Sequence, residues 1–135
     1  MELHLKIIGF LLVALALVHL IFPRYFNWKD SLNNLSLINR QMMYVHTFFI
    51  ALIVLLMGIL CLTSSRELIG TALGNKLAFG FFIFWAFRLF IQFFVYSSIH
   101  WKGKKTETAI HILFSCLWAY LSIVFFIVYW TNKSA

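Results

Sequence analysis

Four long apolar runs, separated by short polar segments, leave this chain very few ways to fold. They cover about residues 3–22, 40–62, 76–98 and 106–130, and each has the roughly 20-residue length at which a helix crosses a hydrocarbon layer about 30 Å thick. Inside that layer backbone N–H and C=O groups have no water to bond, so a segment must pair them internally, which selects helices. Of the 135 residues, 63% are hydrophobic and 11% charged, whereas soluble domains have roughly half and a quarter. The expectation is an all-α membrane protein, a single domain over 1–135 with four transmembrane helices in one bundle. The bilayer is then its first partner.

A net charge of +7 invites a nucleic-acid reading, but the basic residues sit mainly between the apolar runs. There they meet anionic lipid head groups and set topology, so nucleic-acid binding is excluded. Four crossings place both termini on one side. The first and third loops carry Arg24, Lys29, Arg40, Lys102, Lys104 and Lys105, against Lys6, Arg66, Lys76 and Lys133 on the other side. Six against four puts those loops in the cytoplasm and the termini outside.

Local signals refine the boundaries. Ala14-Leu15-Ala16 resembles a signal-peptidase site, yet the apolar run continues to Phe22, so a retained first helix is expected, ended by Pro23. In the loop that follows, Tyr25, Phe26 and Trp28 are interface-type aromatics. Leu32, Leu35 and Ile38 recur every third residue, which fits a short helix on the membrane surface. Ser64 and Glu67 have capping-box spacing, with two helical turns predicted before Gly74. Thr106 is placed to cap the fourth helix. Cys61 and Cys116 lie at different depths, too far apart to pair, and read as apolar fillers.

The polar residues inside the spans are not scattered evenly. Arg88 stands within Phe-Trp-Ala-Phe-Arg-Leu-Phe-Ile-Gln, and an arginine there costs about 2.5–3.5 kcal/mol on insertion scales, so it is expected to face protein. Gln92 and Tyr96 follow at i+4 and i+8 on the same face. His111, Ser115, Trp118 and Ser122 form one stripe on the fourth helix. On the second helix Arg40, Tyr44 and Thr47 share a face, with His46 about 120° away at 100° per residue. His19 continues an apolar stripe of Ile8, Leu12, Leu15 and Ala16. By helical rise, His19, His46 and His111 all lie within roughly 10 Å of the first-and-third-loop face, and Arg88 roughly 15 Å.

This collection admits several chemistries. Arg88, Gln92, Tyr96, His111 and Ser115, with Arg40 and Tyr44, are the candidate residues for an anionic or quinone-like head group. His46, His111 and His19 are the candidate ligands of a haem iron or a metal, with Met42 and Met43 as soft ligands beside His46. Against both, a membrane histidine can act only as a hydrogen-bonding clamp between helices. Some classes drop out. Glu2, Asp30, Glu67 and Glu107 lie at span ends or in loops, which excludes carboxylate-bridged di-iron chemistry. A Ser-His-Asp arrangement lacks its acid, and neither a Gly-rich phosphate loop nor a Cys-x-x-Cys pair occurs.

At Phe22-Pro23-Arg24-Tyr25-Phe26-Asn27-Trp28, Leu35-Ser36-Leu37-Ile38-Asn39-Arg40-Gln41 and Val45-His46-Thr47-Phe48-Phe49 the chain resembles a family of small bacterial integral membrane proteins of unassigned function. The stretches from Phe84-Trp85 to Tyr96, and from Trp101-Lys102-Gly103 to His111, Phe114, Trp118 and Tyr120, carry the same resemblance. It implies four helices and a bacterial inner membrane, and brings no activity or catalytic residue with it. Three functions follow as expectations: a binding or redox subunit with a His/Arg-lined pocket in one leaflet, a non-catalytic accessory subunit of a larger membrane complex, and a small transporter or proton pathway, which at four helices needs to form a homo-oligomer.

Overall fold

The computed structural model describes residues 1–95 and 103–134, apart from the side chains of 133 and 134. All regular structure among them is helical: α1 (Glu2–Tyr25), α2 (Trp28–Ser31), α3 (Leu37–Thr63), α4 (Ser65–Gly70), α5 (Ala72–Phe94) and α6 (Lys105–Ser134). The four long helices are each apolar and extended enough to cross a membrane. The fold is therefore all-α with four candidate spans.

The helix ends depart from the hydropathy boundaries because caps, not transfer energy, decide where a helix stops. Pro23 does not end α1, which runs on to Tyr25; a proline this close to the end forfeits one bond, and Phe26 N–H still reaches Phe22 O at 2.9 Å. The stop is Asn27, left-handed at φ 54°, a conformation that Asn tolerates better than most residues. The predicted surface helix is one turn, Trp28–Ser31. Leu32 and Leu35 instead bracket a turn through Asn33 and Asn34, residues that favour turns over helix. Trp28 is buried, its ring edge-on to Tyr44 at 5.5 Å.

Helix α3 begins three residues before position 40, where the Ser36 hydroxyl accepts from Asn39 N–H at 3.4 Å. Ser64 closes α3 rather than opening α4. Helix α5 begins four residues ahead of position 76 and is capped by Thr71, which accepts from Gly74 N–H at 2.9 Å while donating to Glu67 O at 2.7 Å. Gly74 thus lies inside the first turn of α5, not after α4. A Cβ there would stand 2.6 Å from Leu68 Cα and 2.7 Å from its carbonyl oxygen, so the close α4–α5 corner requires glycine. At α6, Gly103 (φ 77°) turns the chain and the helix starts at once at Lys105. The Lys104 carbonyl accepts from Thr108 N–H at 3.0 Å, and Thr106 sits within the first turn instead of capping it. The end expected at position 98 lies outside the described residues.

By packing, the chain divides into two compact units, Leu3–Ser65 and Met1–Glu2 with Arg66–Ala135. In the first, α1 and α3 approach backbone to backbone. A Cβ on Gly9 would fall 2.9 Å from Gly58 O, and one on Gly58 would fall 2.9 Å from Gly9 O. Small residues permit this approach, and in lipid, where burial gives helices no drive to associate, contact area supplies the attraction. Leu5, Ile8, Leu12, Leu15 and Ala16 of α1, and Ala51, Val54, Met57 and Cys61 of α3, are buried.

In the second unit α5 and α6 run antiparallel with their aromatic rings interleaved. Phe79 meets Tyr129 at 4.8 Å, Phe82 meets Phe126 at 5.2 Å, and Phe81 stands edge-on to Phe125 at 5.2 Å. Polar side chains fasten one end of the pair. Asn75 Nδ2 donates to Tyr129 O and Asn132 Nδ2 to Thr71 O, both at 2.8 Å. Cys61 is buried as a filler would be, whereas Cys116 is exposed, and both are free thiols.

Candidate functional site

The polar stripe of α6 meets the Arg88 face of α5 within one unit. Trp85 and Trp118 lie parallel, centroids 5.2 Å apart at 10°, and are 2% and 3% exposed. Helical spacing puts Arg88 and Gln92 one and two turns beyond Trp85. The Arg88 guanidinium carbon lies 4.9 Å from the Trp118 ring centroid, a cation–π contact worth up to about 2 kcal/mol when desolvated. Phe114 stacks on the same indole at 5.6 Å.

One turn further, buried Gln92 donates from Nε2 to His111 Nδ1 at 2.8 Å. With Nδ1 as acceptor, a neutral His111 ring carries its proton on Nε2. Phe93 stands edge-on to that ring at 6.0 Å. Ser115 and Ser122 lie on the inner stripe but turn their hydroxyls back to the carbonyls of His111 and Trp118, at 2.7 and 2.8 Å. Such i−4 bonds satisfy the proton locally.

The indole N–H groups of Trp85 and Trp118 are enclosed without a hydrogen-bond partner among the described residues. Each such donor costs about 1–3 kcal/mol. Together with the guanidinium they make this level of the α5–α6 pair rich in donors. The chemistry complementary to such donors is an acceptor oxygen, on a carbonyl, carboxylate or phosphate.

The remaining candidates lie elsewhere. Tyr96 is outside the described residues. His19 is half-buried at the end of the buried α1 stripe, its Nδ1 2.8 Å from Leu15 O of its own helix. His46 is exposed on α3, as are Met42 and Met43. Arg40 is half-buried, and Tyr44 leans on Trp28. His19, His46, Arg40 and Tyr44 thus belong to the first unit, and Arg88, Gln92, His111 and Ser115 to the second. Among the described residues no group of three or more His, Cys, Asp or Glu side chains is placed to hold a metal ion.

Sequence reasoning missed Trp85 as the stacking partner of Trp118, and both asparagine ties. Trp85 stands three residues before Arg88 and seven before Gln92, the helical spacing that would have put all three on one side. Compared with known proteins, the chain matches no family model, no curated sequence and no solved structure.

Proposed function

We propose that this is a multi-pass protein of a bacterial inner membrane whose α5–α6 pair binds the head group of an acidic or quinone-like amphiphile. The supporting observation is the Arg88 guanidinium held against Trp118, one turn from the Gln92–His111 bond. Keeping an arginine at membrane depth is costly, and a ligand oxygen repays that cost through charge-assisted hydrogen bonds. Arg88 supplies charge and donors, Trp118 a flat wall, and the Gln92–His111 pair a second polar contact with the ring proton on His111 Nε2. In this reading His19 and His46 take no part, and haem or metal is not the ligand.

The test is to purify the protein in native-lipid nanodiscs and identify retained small molecules by mass spectrometry, alongside an optical spectrum. Wild type should retain an acidic or quinone-type amphiphile that Arg88→Gln loses. Equal retention by both, or a haem Soret band, would overturn the reading.

A second reading has its own support. Gln92–His111, Asn75–Tyr129 and Asn132–Thr71 each join helix to helix or corner, as expected if the polar residues are helix glue in an accessory subunit of a membrane complex. Co-purification of a fixed partner with Arg88→Gln as readily as with wild type favours it. For orientation we propose that both termini lie outside and the 101–105 loop in the cytoplasm. With Cys61 and Cys116 replaced, intact cells should label Lys133→Cys and protect Lys104→Cys, and the reverse pattern would refute it.

A further inference from the structure

The three histidines of the spans differ in what holds them. His111 Nδ1 accepts from Gln92, and His19 Nδ1 meets Leu15 O, each at 2.8 Å. His46 is exposed and has no hydrogen bond to any of the described residues. It is the tenth residue of α3, inside a span, where lipid offers its ring nitrogens no partner. The neighbours on its own helix face are soft. At 100° per residue Met42 lies about 40° to one side of His46 and Met43 about 60° to the other. Residues three and four apart on a helix have β-carbons about 5–6 Å apart. Both methionines are exposed, at 43% and 41%, and their three rotatable bonds let each Sδ swing toward the imidazole.

We infer that Met42, Met43 and His46 bind a single copper(I) ion on the open side of α3. Thioether sulfur selects Cu(I), and imidazole accompanies it readily. Cu(I) takes the imidazole lone pair that nothing else among the described residues uses. All three ligands are neutral, so the bound ion keeps its one positive charge. The Born penalty for taking an ion out of water grows with the square of its charge, which disfavours a divalent metal at this depth. Harder sites lack their ligands: no trio of His, Cys, Asp or Glu side chains gathers among the described residues. Asn39, seven residues before His46, is exposed on the same face in the first turn of α3. It gives the ion a polar step at the start of the helix. The inference shares no residue with the Arg88 reading and does not depend on it.

The experiment uses the whole protein with Cys116→Ser, which removes the exposed thiol, in phosphatidylcholine nanodiscs. Cu(I) is titrated anaerobically in competition with bathocuproine disulfonate. One equivalent should bind, and X-ray absorption should show sulfur and nitrogen neighbours together. Met42→Leu, Met43→Leu and His46→Leu should each weaken binding at least about tenfold, the floor for losing even a supporting partner of a metal site. All three positions are exposed, and leucine matches methionine in volume, so these variants keep the fold. Met57→Leu, at a buried methionine, should bind like its parent, and equimolar Zn²⁺ should not compete. Lack of stoichiometric Cu(I), unchanged binding in any one of the three variants, equal weakening by Met57→Leu, or displacement by Zn²⁺ would overturn the site.

Discussion

The α1–α3 pair and the α5–α6 pair hold two helices together by opposite means. Gly9 and Gly58 remove side chains altogether, so that each backbone oxygen stands 2.9 Å from where the other glycine's Cβ would be. The α5–α6 pair instead fills its seam with rings and pins it with Asn75, Gln92 and Asn132. In lipid both are workable, because packing area and interhelical hydrogen bonds replace the missing hydrophobic drive. Their chemical consequences differ. A glycine seam leaves nothing at the crossing that can recognise a ligand. An aromatic seam accommodates a cation and strands two indole donors, so chemistry is concentrated where side chains do the packing.

The comparison breaks most visibly at the glycine seam. Gly58→Leu should destabilise the protein by about 3 kcal/mol, the upper end for overpacking, read by thermal aggregation in detergent. Gly80→Leu, at a glycine whose added Cβ meets nothing within 4 Å, should leave the aggregation temperature unchanged or raise it slightly; equal losses would mean that α1 and α3 do not approach at Gly58. Next comes Gln92→Leu, which leaves a His111 ring nitrogen without its donor at a cost of about 2 kcal/mol. Adding His111→Leu should recover part of that loss, and strictly additive effects would argue against the bond. Arg88→Leu should follow at about 1 kcal/mol, the cation–π contact being partly offset by relief from burying a charge. Lys104→Leu, on an exposed residue, should stay within about 0.5 kcal/mol, and equal responses would show that Arg88 is not held at the seam. Smallest is Ser122→Ala, with a change near zero by the same assay, because its hydroxyl serves only its own helix.

The same contrast explains what could be read before the structure. Span number follows from apolar length, and the inward faces of Arg88, Gln92, His111 and Trp118 follow from 3.6-residue periodicity, both properties of one helix at a time. Register between helices is not. Nothing within α5 alone says that Trp85 will lie flat against Trp118, nor within α1 that Gly9 will meet Gly58. Boundaries erred wherever a cap overruled hydropathy, as Ser36, Thr71 and Asn27 did. His19 marks a limit of the same kind. Its stripe of Ile8, Leu12, Leu15 and Ala16 is apolar and buried, and in a membrane the buried side can be as apolar as the exposed one, so composition alone does not say which way a stripe faces.

The asparagine ties also bear on the order in which a ribosome can complete the molecule. Synthesis runs from the N-terminus at about 5–20 residues per second, so α1 and α3 can close their glycine seam while α5 is still being made. The α4–α5 corner must wait. The Thr71 carbonyl, which accepts from Asn75 N–H at 3.0 Å at the start of α5, gains its second donor only when Asn132 emerges, sixty-one residues later, and the Asn75 side chain finds Tyr129 only at nearly the same moment. Until then Arg88, already delivered to the membrane, has no Trp118 to lie against. An insertion chaperone or the translocon's lateral gate would shelter this half of the chain for longer than the other.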